Sequence, residues 1–184
     1  MNTPTLDWMP AGCSMSLLPV GKWWDAVKVP RTIALEALGR LRGDTGAVIE
    51  DSWTSVYYWL VPTEGASSWG MPEASRITVL GDTAHLVVPG PQSTAGPRWH
   101  IQPTLSRLLT DPEKLRAALT HAAAAVAVAK QTSDEAYQAL MAHYNSCPGC
   151  AHGGEPCREE CTHAIDPCPR GRHLRQAWVE VRWS

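Results

Sequence analysis

Residues 23–43, WWDAVKVPRTIALEALGRLRG, decide the fold class. Residues 23–29 are rich in aromatic and β-branched side chains and read as a strand. Pro30 suits the first position of a helix, because its fixed φ is helical and its missing N–H is not needed there. Residues 31–42 then place Ala34, Leu38 and Leu41 on one face at helical spacing, and Gly43 is the expected stop. A strand running straight into an amphipathic helix requires a sheet for the strand and a layer packed on it.

Moving downstream, residues 47–50 and 56–61 read as the arms of a hairpin, with Asp51-Ser52 opening the connection and Pro62 ending the second arm. Residues 63–72 form a Gly-, Ser- and Pro-rich loop. Residues 76–80 and 85–88 are expected to form a second hairpin around Gly81-Asp82. The stretch PGPQSTAGP (89–97) is a loop, and residues 99–101 add a short edge strand. The period then changes. Thr110-Asp111-Pro112-Glu113 is a helix start, capped either by Thr110 with Glu113 or by Asp111 with Pro112 in the first turn. Leu115, Ala118, Leu119, Ala122 and Val126 make its apolar stripe. A further helix is expected from Ser133-Asp134, carrying Tyr137, Leu140, Met141 and Tyr144. A last short helix, preceded by Pro169 and Gly171, carries Leu174, Ala177, Trp178 and Val181 inward and leaves Arg170, Arg172, Arg175 and Arg182 largely outside that stripe. The expected architecture is α+β: a small, mostly antiparallel sheet with a helix over residues 1–105, then a helical, zinc-binding region over 106–184.

Of the 184 residues, 44% are apolar and 18% charged, which suits a packed core rather than a disordered chain. The formal net charge is −2. Up to Leu105 there are 7 Lys+Arg against 9 Asp+Glu, and from Ser106 onward 9 against 9, so neither part holds nucleic acid by bulk charge. Nine tryptophans and no phenylalanine mean that Trp fills core positions, where each indole N–H wants a partner. The bias toward Ala, Arg, Gly and Trp suits a high-GC bacterial genome. No targeting or membrane-spanning segment is apparent, and a cytoplasmic protein that does not contact membranes is expected.

Five of the six cysteines lie between Cys147 and Cys168. In a reducing compartment that clustering points to a metal rather than to disulfides. The run reads His143-x3-Cys147-x2-Cys150-x6-Cys157-x3-Cys161-x6-Cys168, with His152 and His163 interspersed. Cys147-Pro148-Gly149-Cys150 has the two-residue spacing that lets two thiolates reach one tetrahedral zinc ion. His143 and Cys147 are four apart at the end of an expected helix and so share a face. The fourth ligand stays open among Cys157, Cys161 and Cys168, and two ions sharing the set are an alternative. A redox Cys-x2-Cys pair is the competing reading, although a thioredoxin-like motif is preceded by a strand and here a helix precedes. A surplus of ligands favours a structural site over a catalytic one.

The segment His143-x3-Cys147-x2-Cys150 is similar to the signature of zinc-binding anti-sigma proteins. There the fourth ligand lies upstream, where this chain offers His121. The first part resembles the N-terminal domain of bacterial bifunctional primase-polymerases. The matching pieces are Leu18-Pro19-Val20-Gly21, Asp25-Ala26-Val27-Lys28-Val29-Pro30 with the helix after it, Gly46-Ala47-Val48, Tyr57-Tyr58-Trp59-Leu60-Val61-Pro62 and Leu86-Val87-Val88-Pro89-Gly90-Pro91. That family's activity rests on two acidic residues on one face of a strand. Here Glu50 and Asp51 are adjacent and would face opposite sides, so the resemblance implies a shortened, non-catalytic relative.

No hydrolase nucleophile motif, phosphate loop or dinucleotide fingerprint occurs. His85 and His100 fall on expected strands as satisfied or solvent-facing residues, and Cys13 reads as a small apolar residue. Trp23, Trp24, Trp53, Trp59 and Trp69 could stack bases, but core filling is the simpler use. These readings describe a zinc-stabilised accessory or regulatory protein without catalytic residues. It would bind a macromolecular partner, nucleic acid before protein, through Arg170, Arg172, Arg175 and Arg182 and an aromatic surface. An anti-sigma-like protein-interaction module and a divergent primase-polymerase-like nucleotidyltransferase are the alternatives.

Overall fold

A computed structural model describes residues 6–147 and 168–183 of the chain. The fold is α+β. Strands β1 (Met15–Pro19) and β2 (Asp25–Pro30) precede helix α1 (Arg31–Leu41), followed by β3 (Val48–Asp51), β4 (Val56–Val61), β5 (Thr78–Leu80), β6 (His85–Pro89) and β7 (Pro97–Ile101). Two helices follow, α2 (Pro112–Ser146) and α3 (Pro169–Trp183). The chain divides into two compact units, Met1–Ala124 and Ala125–Ser184, so that the division falls inside α2.

In the first unit the strands form a five-stranded antiparallel sheet in the order β5-β2-β4-β3-β7 and a separate antiparallel pair, β1-β6. Register sorts the side chains of the larger sheet. Directly opposed residues share a face, so Glu50, Tyr57 and Arg98 lie on one side, and Ile49, Tyr58 and Trp99 on the other. The second side joins a buried cluster of Val20, Trp24, Ala26, Ala47, Ile49, Leu60, Leu86 and Val88, against which Trp8 and Trp99 pack. Trp24 and Trp59 are fully buried, as the absence of Phe led us to expect, whereas Trp53 is 74% exposed. The N–H of Trp59 donates to Thr45 Oγ1 at 3.0 Å and that of Trp99 to the Pro89 carbonyl at 2.8 Å. Those of Trp24 and Trp69 are buried without a partner.

The start of α1 follows the expected Pro30 boundary, but its end differs. Arg42, with φ of 49°, takes the positive-φ position at the end rather than Gly43. The choice at the next helix start resolves toward Asp111, whose Oδ1 accepts the Lys114 N–H at 2.9 Å. Thr110 Oγ1 is used elsewhere, accepting the Gly46 N–H at 2.9 Å.

Three expectations are corrected. Residues 76–80 and 85–88 do not form a hairpin: β5 pairs with β2, and β6 pairs with β1. The Gly81-Asp82 turn is present, with Ala84 N–H donating to the Gly81 carbonyl at 2.9 Å, but it hands the chain from one sheet to the other. Residues 15–19, an apolar run with no strand assigned to it, become β1. No new helix starts at Ser133-Asp134, because α2 is continuous over 35 residues. The local competition that makes Ser and Thr helix breakers is absorbed inside the helix, where Thr132 Oγ1 donates back to the Val128 carbonyl at 3.0 Å. Cys13 is exposed rather than packed, its thiol donating to the Gln92 carbonyl. Among the described residues no helix is long and apolar enough to cross a membrane.

Candidate metal centre

The second unit brings together three of the metal ligands named from sequence. His143 and Cys147 stand at the C-terminal end of α2, where the Cys147 N–H still donates to the His143 carbonyl at 2.9 Å, so helical geometry holds both side chains on one face. Cys168 immediately precedes α3. Its carbonyl accepts the Arg172 N–H at 2.9 Å and its sulfur accepts the Gly171 N–H at 3.4 Å, which makes it the cap of that helix. Backbone donors at a helix N-terminus favour a negatively charged neighbour, the form in which a cysteine ligates metal.

The ligand atoms of His143, Cys147 and Cys168 all lie within 4.8 Å of one another, and the group could hold a metal ion. Cys147 Sγ and Cys168 Sγ are 3.8 Å apart, and His143 Nε2 is 3.1 Å from Cys168 Sγ. Two sulfurs each about 2.3 Å from one tetrahedral ion are about 3.8 Å apart, and an imidazole nitrogen and a sulfur about 3.5 Å. The spacing therefore fits a single ion, with a small outward shift of the imidazole. Two sulfurs and one imidazole are a donor set for zinc rather than for a hard cation. Cys168, among the described residues, is thus a member of the downstream trio that the fold brings to the helix end. Cys150, Cys157 and Cys161 lie outside the described residues.

Of the arginines assigned to partner binding, Arg170, Arg172 and Arg175 are exposed on α3. Arg182 lies in the last turn, and its side chain is outside the described set. The expected stripe is visible as the less exposed side of that helix, Leu174, Ala177, Trp178 and Val181, and the Trp178 ring packs 5.9 Å from Tyr137 of α2.

The first unit holds a charged cluster that sequence reading did not assemble. Glu50 on β3 is 5% exposed. Its Oε1 accepts Arg31 Nη1 at 2.7 Å and its Oε2 accepts Arg98 Nη2 at 2.9 Å. His100 Nδ1 stands 3.9 Å from Oε2, and its ring meets Tyr57 edge-on at 5.2 Å. A register shift between β3 and β7 opposes Val48 to Ile101 but Ile49 to Trp99. Two residues along the strand from Arg98, His100 falls on the same side as Arg98 by ordinary alternation, and the shift leaves it as the extra residue of a bulge. Burial pushes the Glu50 carboxyl up, but hydrogen bonding from Arg31, the Arg98 charge and the Tyr57 hydroxyl outweigh it, and the group stays below the usual glutamate range. Burial, and next the Glu50 charge, push the Tyr57 phenol up. The Glu50–Tyr57 and Glu50–Arg98 registers and the start of α1 bring these residues together, and nothing in the local sequence signals it. Asp51 does face away, as expected, and its oxygens accept from Trp53 N–H and the Thr54 hydroxyl at 3.0 and 2.6 Å.

No protein-family model matches the chain, and no curated protein or solved structure matches it.

Proposed function

We propose that the chain is a zinc-stabilised accessory or regulatory protein that binds nucleic acid and carries no catalytic centre of its own. The observation that supports the reading best is the convergence of His143, Cys147 and Cys168 on one point between the end of α2 and the start of α3. A zinc ion there, completed by Cys150, Cys157 or Cys161, would tie the arginine-bearing helix to α2. Structural zinc in small modules contributes on the order of 10–16 kcal/mol of apparent binding energy, enough to order a segment poor in apolar residues. The tied helix carries Arg170, Arg172, Arg175 and Arg182 against Glu180, a local positive excess in a chain whose overall charge is slightly negative. That local excess is what a phosphate backbone would meet. The likeness of the first part to primase-polymerase N-terminal domains favours nucleic acid over protein as the partner, and the adjacent, oppositely directed Glu50 and Asp51 favour a non-catalytic role. In Glu50 both carboxylate oxygens are already held by arginines, which leaves it poorly placed to hold a metal ion.

The test is metal content of the purified protein. We expect about one or two zinc ions per chain, lost in Cys147→Ser and in Cys168→Ser together with part of the far-UV helical signal. Metal-free protein whose thiols oxidise readily would overturn the zinc reading. Zinc-loaded protein that ignores DNA and RNA at low salt but co-purifies with a stoichiometric protein would turn the partner to the anti-sigma-like alternative.

A further inference from the structure

The Glu50 cluster has a geometry that a purely structural ion pair does not need. A buried carboxylate needs neutralising, and one guanidinium would do it. Here two converge, one on each oxygen, from opposite directions in the sequence: Arg31 opens α1 and Arg98 lies on the edge strand β7. The side chains of Arg31, Arg98 and His100 are 49%, 39% and 36% exposed, so each still reaches solvent while it borders Glu50. Each guanidinium has five N–H donors, and the direct ion pair shown here uses one of each. The cluster carries one net positive charge with His100 neutral. Because Glu50 already holds the two planes, a ligand that uses the remaining donors loses little side-chain freedom on binding.

An exposed aromatic ring is carried at the same end of the sheet. The β3–β4 connection is stiffened by Asp51, which accepts from Trp53 N–H, Thr54 N–H and the Thr54 hydroxyl. It projects Trp53, the most exposed of the large apolar side chains described. The indole lies over Gly96, where an added Cβ would come within 2.7 Å of the ring. Gly96 is two residues from Arg98, and Ser55 of the same connection accepts the Arg31 backbone N–H at 3.0 Å. The exposed ring and both guanidiniums therefore hang from one end of the sheet. A tryptophan that filled the core would not be placed there.

We propose that Arg31, Arg98 and Trp53 form a contact site for single-stranded nucleic acid, the two guanidiniums gripping backbone phosphate and the indole stacking one base. His100, beside Glu50, borders the phosphate position. Charge complementarity selects a polyanion, and the exposed ring selects one whose bases are unpaired, since bases inside a duplex have no free face to stack. The site rests on the nucleic-acid reading above and is separate from the α3 arginines.

Binding of fluorescein-labelled oligo-dT to the full-length zinc-loaded protein, followed by anisotropy at several salt concentrations, tests this. We expect Trp53→Ala to weaken binding about ten-fold, with a circular dichroism spectrum like wild type because the side chain is exposed. Arg31→Ala should weaken it comparably and lower the slope of log affinity on log salt by roughly 0.7, the value for one phosphate contact to a single strand. Unchanged affinity in both, with loss in Arg170→Ala/Arg175→Ala, would overturn this site and leave the proposed function standing. Absence of oligo-dT, RNA and duplex binding by the wild type would overturn both. Equal loss on duplex DNA in Trp53→Ala would overturn the stacking assignment.

Discussion

Glu50 is almost fully buried between Arg31 and Arg98, and its charge is worth most to the fold when both pairs are made. Its folded-state pKa lies below the ordinary value of 4.5, so the unfolded chain binds the proton more readily. The stabilisation is therefore complete above that ordinary value and is lost as pH falls through the lower, folded one. Thermal melts of wild type and Glu50→Gln from pH 7 down to pH 3 should show it: the variant loses about 1–3 kcal/mol at pH 7, and the gap narrows in acid. A constant gap would mean that the charge itself contributes nothing. A second residue-scale expectation concerns Thr45, whose hydroxyl is the partner of the buried Trp59 N–H. Thr45→Val keeps the shape and strands that donor. Denaturant titration should find it about 1–3 kcal/mol less stable, with the slope on denaturant unchanged.

At the scale of elements, backbone approach decides more than side chains do. An added Cβ at Gly46 would lie 2.4 Å from the Leu109 carbonyl carbon and 2.7 Å from the Thr110 nitrogen. Those atoms are backbone and cannot swing aside. Gly46→Ala should thus destabilise by several times the roughly 1 kcal/mol expected when Asp111→Ala removes the α2 cap, a ranking that paired chemical melts can read. Most strands were legible in sequence because their apolar and β-branched runs are local. The β3–β4 hairpin was legible as a pair too, but the other pairings were not: β6 follows β5 across a tight turn yet pairs with β1, since the buried positions Leu86 and Val88 complete the cluster around Trp24. The candidate metal ligands divide the same way. His143 and Cys147 were legible from helical spacing alone. Cys168 joins them because α3 begins beside the end of α2, which no local pattern encodes. The Arg31–Glu50–Arg98 set was invisible for that reason too. One arginine was read as the first residue of a helix, and the other fell between a loop and a strand.

For the molecule as a whole, the two units rest on different physics. The first is held by a dense aromatic and aliphatic core, with Trp24, Trp59, Leu60 and Val61 fully buried. The second, over its described residues, has Leu140 as its buried large apolar side chain. We expect a strong zinc chelator to abolish part of the helical signal and expose the C-terminal segment to protease, while the near-ultraviolet spectrum of the buried tryptophans persists. Simultaneous loss of both signals would show that the metal supports the first unit as well.

The pairing of β1 with β6 has a kinetic consequence. Met15 lies opposite Pro89, so the ladder closes a loop of about seventy residues. β1 is synthesised well before its partner, which is made only after four other strands. In the interval Leu17 and Leu18 have no ladder to join. Leu17 and Val87, opposed in the finished ribbon, remain exposed on its outer side. Such non-local pairing places folding of the first unit in the millisecond-to-second range rather than the microseconds of a helical bundle. The nascent chain would carry an adhesive edge strand throughout that wait, making β1 the segment through which crowded or overproduced protein would aggregate.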